Sequence, residues 1–141
     1  MGRINYSKVL IGGVVAGIVF LLMDFVGMYV TGFDWQAWVA RYGLTEPPMA
    51  IYIVMDIIFG IMLVWMYAAI RPRFGAGART ALIVAAFFWV FFGLIYYSFT
   101  ALGMFTQGEY LRMAAWGAVT VAAAALAGAW LYKEDAGTVA V

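Results

Sequence analysis

A chain of 141 residues, 67% of them hydrophobic and 11% charged, lacks the make-up of a soluble domain, where about half the residues are apolar and about a quarter are charged. It contains no Cys and no His, which excludes within the chain disulfides, thiolate metal sites, imidazole ligation of haem or chlorophyll, and a Ser-His-Asp triad. A net charge of +1 without a basic aromatic patch points away from nucleic acid.

The apolar residues lie in long runs, and about 20 in a row suffice to cross a bilayer as a helix. The chain opens with Arg3 and Lys8, then stays apolar to Val30. A signal-peptide core covers only about 7–15 residues, so this run is read as a retained first span, about Val9 to Val30. The loop after it holds Asp34, Trp35, Trp38, Val39 and Tyr42. Asp34 suits a helix N-cap, and the four apolar residues fall on one helical face. This predicts a short helix, lying flat at the interface as an aromatic anchor or forming a lid over an outward pocket. Pro47 and Pro48 open the second span, about Met49 to Ile70, and Pro72 is expected to stop it. The loop Arg71 to Arg79 is basic, with Gly75 and Gly77 permitting a tight reversal. The third span is about Ala81 to Phe105 and the fourth about Tyr110 to Leu131.

The expected fold is therefore an all-α integral membrane protein. Four transmembrane helices form an antiparallel bundle with a short interfacial outer-loop helix, and residues 1–141 make a single domain. Arg3, Lys8, Arg71, Arg73, Arg79 and Lys133 lie on one side, and Arg41 and Arg112 on the other. By the positive-inside rule both termini are cytoplasmic. Cysteines introduced at Ser7, Gln36, Gly77 and Thr138 should react with an impermeant thiol reagent from outside at Gln36 alone; outside labelling at Gly77 would overturn this topology.

Two spans carry an aspartate, which costs roughly 2.5–3.5 kcal/mol at the centre of a membrane helix and so belongs on a protein-facing side. In the first span Gly13, Gly17, Phe20, Asp24, Gly27 and Thr31 follow at spacings of three and four, making one stripe. Gly13 and Gly17 form a GxxxG pair suited to close helix approach. In the second span Tyr52, Asp56, Gly60, Leu63 and Tyr67 repeat the pattern. The fourth span is rich in Ala and Gly and is expected to pack tightly, whereas the third is ringed by Phe87, Phe88, Trp89, Phe91, Phe92, Tyr96, Tyr97 and Phe99. This belt suits lipid, packing, a partner, or a hydrophobic ligand such as a carotenoid.

Counted from the span ends, Asp24 and Asp56 stand at the same depth, about 10 Å below the outer surface. Tyr96, Tyr97 and Ser98 fall near that level, and Arg112 is within reach. Asp24, Asp56, Tyr96, Tyr97 and Arg112 are thus the candidate polar site, with Gly13, Gly17 and Gly60 as packing positions. Two close carboxylates do not both ionise cheaply. A shared proton, a bound cation or an Asp–Arg pair would satisfy them, as would a purely structural clamp.

Three segments resemble small bacterial four-span membrane proteins: Ile4 to Gly13, Tyr67 to Gly75, and Ala127 to Glu134. The resemblance implies the same architecture in a bacterial inner membrane, and it carries over no catalytic residue.

The leading functional expectation is a non-enzymatic membrane subunit or accessory protein, partnered by lipid and by other subunits or further copies of itself. The alternative is a small oligomeric transporter or channel using the aspartate pair for protons or a cationic solute. An enzyme acting on a lipid or quinone ranks last, since the chain offers few polar groups for acid–base work. No His- or Cys-ligated metal or haem is expected.

Overall fold

The computed structural model describes residues 4–133. Arg3, Thr138 and Glu134, used in the topology and resemblance arguments, lie outside them. The described residues form five helices and no strand: α1 (Tyr6–Thr31), α2 (Trp35–Arg41), α3 (Met49–Phe74), α4 (Ala78–Ala101) and α5 (Gln107–Leu131). All but α2 are long and apolar enough to cross a membrane. A helix meets its own backbone hydrogen bonds, the requirement that lipid imposes on a spanning segment.

The termini are capped by local chemistry. Asn5 accepts from the Lys8 amide at 3.0 Å to start α1, and Asp34 accepts from the Ala37 amide at 2.9 Å to start α2. Thr106 and Glu109 form a reciprocal capping box on α5. α1 ends at Gly32, whose φ of 63° is the left-handed conformation that glycine adopts freely.

Two span ends differ most from the sequence expectation, while α1, α4 and α5 each start about a turn earlier than expected. Pro72 does not end α3. It sits inside the last turn, where it removes only one backbone bond, and the helix continues to Phe74 before the Gly75 amide closes on the Arg71 carbonyl. α4 stops at Ala101 rather than Phe105, because a turn through Leu102 and Gly103 (φ 79°) carries Phe105 into a separate aromatic cluster.

Around the bundle the order is α3, α1, α5, α4, which sets α1 and α4 on the diagonal. Close approach is concentrated where side chains vanish. On α3, Gly60 lies directly against the Gly13 carbonyl oxygen and the Gly17 amide of α1. A Cβ on Gly13 would stand 2.5 Å from the Ile61 Cα, and one on Gly17 2.6 Å from the Ile57 Cα. Gly12 meets Gly128 of α5 in the same way, with 2.7 Å from a Gly12 Cβ position to the Gly128 carbonyl. These are the small-residue interfaces that let membrane helices gain dispersion contact without a hydrophobic driving force. Ala16, Leu63, Val64, Ala81, Val84, Ala124 and Ala125 complete a solvent-free core in this half of the molecule.

The chain-terminal end is tied by tyrosines. The Tyr67 hydroxyl accepts from the Gly77 amide at 3.0 Å, and Tyr132 sets its ring edge-on to Tyr67 at 5.9 Å. The Arg71 guanidinium stands 5.6 Å above the Tyr132 ring, within range of a cation–π contact.

At the opposite end α2 does more than rest on a surface. Trp38 and Val39 are buried with Phe105, and Trp38 stacks between Trp35 (5.0 Å) and Phe105 (5.2 Å). The Trp38 indole donates to the Met104 carbonyl at 2.9 Å, and the Tyr42 hydroxyl donates to the same oxygen at 3.0 Å. The helix is thereby fastened to the α4–α5 turn, as a roof over that end of the bundle.

Candidate functional site

Beneath that roof the four long helices do not close on one another. They bound a cavity of about 550 Å³. The reason lies in residue size. Below the cavity glycine and alanine draw α1, α3 and α5 together, while around it the larger side chains of Phe20, Phe59, Phe92, Trp89 and Trp116 line the space between the helices. Its lower boundary is marked by the edge-on pair Phe59 and Phe92, 5.1 Å between rings, where α3 and α4 meet. Phe33, Trp35 and Phe105 roof it.

Asp24, Asp56 and Tyr96 all line this cavity. The backbone depths differ from the sequence estimate. Gly17 faces Ile57 and Gly13 faces Ile61, which places Asp24 about 9 Å nearer the α2 end than Asp56 at a rise of 1.5 Å per residue. Counting from span ends assumed level ends, and the α1–α3 register is set instead by where glycine meets glycine. Helical side chains lean toward their own N-terminus, and the two helices are antiparallel. Asp24 therefore leans away from the roof and Asp56 toward it, so each points into the gap between them.

Tyr97 and Arg112 are outside the lining. Tyr97 follows Tyr96 by one residue, a turn of about 100° around α4, and packs edge-on to Tyr110 at 5.4 Å. Arg112 is exposed, because α5 turns Met113, Trp116, Gly117, Thr120 and Val121 to the cavity. No Lys or Arg among the described residues lines the cavity, while Asp24, Asp56 and Glu46 do.

Trp116 and Thr120 were missed from the sequence, while Trp35, Tyr52 and Trp89, named there in the outer helix, the second-span stripe and the aromatic belt, also line the cavity. Trp116 sits in the notch at Gly27, where a Cβ would come 2.6 Å from the indole nitrogen, and it donates to the Met23 carbonyl at 3.0 Å. Trp89 donates to the Ala114 carbonyl at 2.8 Å, and Trp35 donates to the Tyr52 hydroxyl at 3.0 Å. Thr120 is 4% exposed, and its hydroxyl has no hydrogen-bond partner among the described residues. The available signal was the spacing of Tyr110, Met113, Trp116, Gly117 and Thr120, a helical stripe of larger and polar residues in an otherwise alanine-rich span.

Among the described residues no group of three His, Cys, Asp or Glu side chains is arranged as a metal set. No family model matches the chain, and no curated protein or solved structure matches it.

Proposed function

We propose that this protein binds a cationic solute within the membrane, as the recognition step of a small transporter. The observation that carries the reading is a cavity with three carboxylates and no Lys or Arg in its lining, under an aromatic roof. A structural clamp would need its carboxylates paired by neighbouring donors, and no hydrogen bond to Asp24 or Asp56 is present among the described residues. Intramembrane carboxylates that face a cavity commonly mark a substrate or ion path. The excess of basic residues at the opposite end supports an outward-facing cavity with cytoplasmic termini, and the segment resemblance supports a bacterial inner membrane.

A second reading has its own support. Phe87, Phe91, Leu94 and Tyr97 of α4 remain exposed, a face that suits another membrane subunit or a further copy of this chain. Purification in mild detergent distinguishes them, since an accessory subunit would leave the membrane with its complex.

The test of the transport reading is cation uptake into proteoliposomes under an imposed inside-negative potential. Wild type should exceed empty liposomes, and Asp24→Asn and Asp56→Asn should each fall to the empty rate while remaining folded. Equal uptake by wild type and both variants would overturn it.

A further inference from the structure

The same cavity limits which cations fit, an inference that rests on the cation reading above. Its volume of about 550 Å³ lies within the range typical of drug-sized ligands, about 300–1,000 Å³. A metal ion or small ammonium would occupy a small part of it. The remainder is apolar and aromatic, a poor substitute for the water shell of a hydrophilic ion. The walls are also unequal. Asp24 and Asp56 are on α1 and α3, which also contribute Phe20, Phe25 and Phe59, whereas α4 and α5 bring Trp89, Phe92 and Trp116 and no carboxylate.

The threonines carry a second, independent indication. Thr31 and Thr100 return their hydroxyls to the carbonyl four residues earlier, at 2.7 and 3.0 Å. That is the usual solution for Thr in a membrane helix. Thr120 does not adopt it, although it is buried and lines the cavity. A buried hydroxyl without a partner is unfavourable, a penalty that a ligand's polar atom would remove.

We propose that the site takes an amphiphilic organic cation: a charged centre between Asp24 and Asp56, and an aromatic or branched apolar body against Trp89, Phe92 and Trp116. Aromatic faces attract such cations as well as their hydrocarbon parts, more strongly once water is excluded. The Thr120 hydroxyl is then available to a polar atom of the ligand.

The experiment titrates protein in lipid nanodiscs with tetraphenylphosphonium and reads tryptophan fluorescence, since Trp35, Trp89 and Trp116 all line the cavity. Empty nanodiscs correct for partitioning into lipid. The expected result is saturable quenching, with an apparent Kd raised at least ~10-fold by Asp24→Asn or Asp56→Asn, the size of one charge-assisted interaction. Triphenylphosphine oxide, of similar body but neutral, should bind no better to wild type than to Asp24→Asn. Tetramethylammonium at equal concentration should not displace the phosphonium. A third variant, Trp89→Leu, should weaken phosphonium binding and leave any tetramethylammonium binding unaffected. Carboxylate-dependent binding of tetramethylammonium or sodium, without binding of tetraphenylphosphonium, would overturn the amphiphile and leave the cation reading standing. No carboxylate-dependent binding of any cation by folded wild type would overturn both.

Discussion

Gly60→Ala should lower the stability of the purified protein by about 1–3 kcal/mol, the usual cost of overpacking. The added methyl would overlap the Gly13 carbonyl oxygen and the Gly17 amide. Both are main-chain atoms, so no rotamer change relieves the clash, and the α1 and α3 backbones must separate there. Gly117→Ala is the matched control. It also sits within a spanning helix, but the nearest atom to its Cβ position is the Trp89 Cδ1 at 3.9 Å. There alanine should be neutral or stabilising by up to about 1 kcal/mol, from helix propensity alone. Thermal unfolding of both variants in detergent checks the pair. Equal melting temperatures would show that the α1–α3 contact adjusts freely and is not the fixed seam of the bundle.

The second large effect belongs to the roof. Trp38→Ala removes the ring stacked between Trp35 and Phe105 and the indole hydrogen bond to Met104. Truncating a buried tryptophan costs about 3–5 kcal/mol. Here the loss should appear locally, as release of α2 with the four spans intact. Hydrogen exchange over residues 35–41 should speed up by orders of magnitude while amides near Leu63 and Ala124 keep their protection. Uniform loss of protection would mean that the roof is an integral part of the bundle's stability. Trp38→Phe retains the stacking without the donor, and should fall between the two.

Much of this architecture was legible in the chain. The four spans follow from run length, the α2 face from the spacing of Trp35, Trp38, Val39 and Tyr42, and its start from Asp34. The glycine stripe of α1 was visible as a stripe because it is a property of one helix. What it would meet was not, since periodicity within α1 cannot distinguish Gly60 of α3 from Gly128 of α5. Both turned out to be used, by adjacent faces carrying Gly13 with Gly17 and Gly12 with Ala16. For the same reason Trp116 escaped notice. Its place depends on Gly27, far away in sequence, and neither residue announces the other. The aspartates were found because their desolvation cost singles them out on any helix. Their stagger was not, because depth counted from helix ends ignores the register chosen by the glycine seam. Arg112 was drawn toward the site by its charge and its helix end, whereas the direction in which α5 faces is decided by Trp116 and Thr120.

The glycine seam also has a mechanical meaning. Gly60 holds α3 against α1 at one place, with a close-packed half on one side and the cavity on the other. It is placed as a fulcrum. From Gly60 to Met49 the lever arm is about 16 Å at 1.5 Å per residue, so a tilt of about 10° would swing the roofed tip of α3 by about 3 Å. The same tilt would move Asp56, one turn from the pivot, by only about 1 Å. The mouth of the cavity would change width while the lower carboxylate stayed nearly in place.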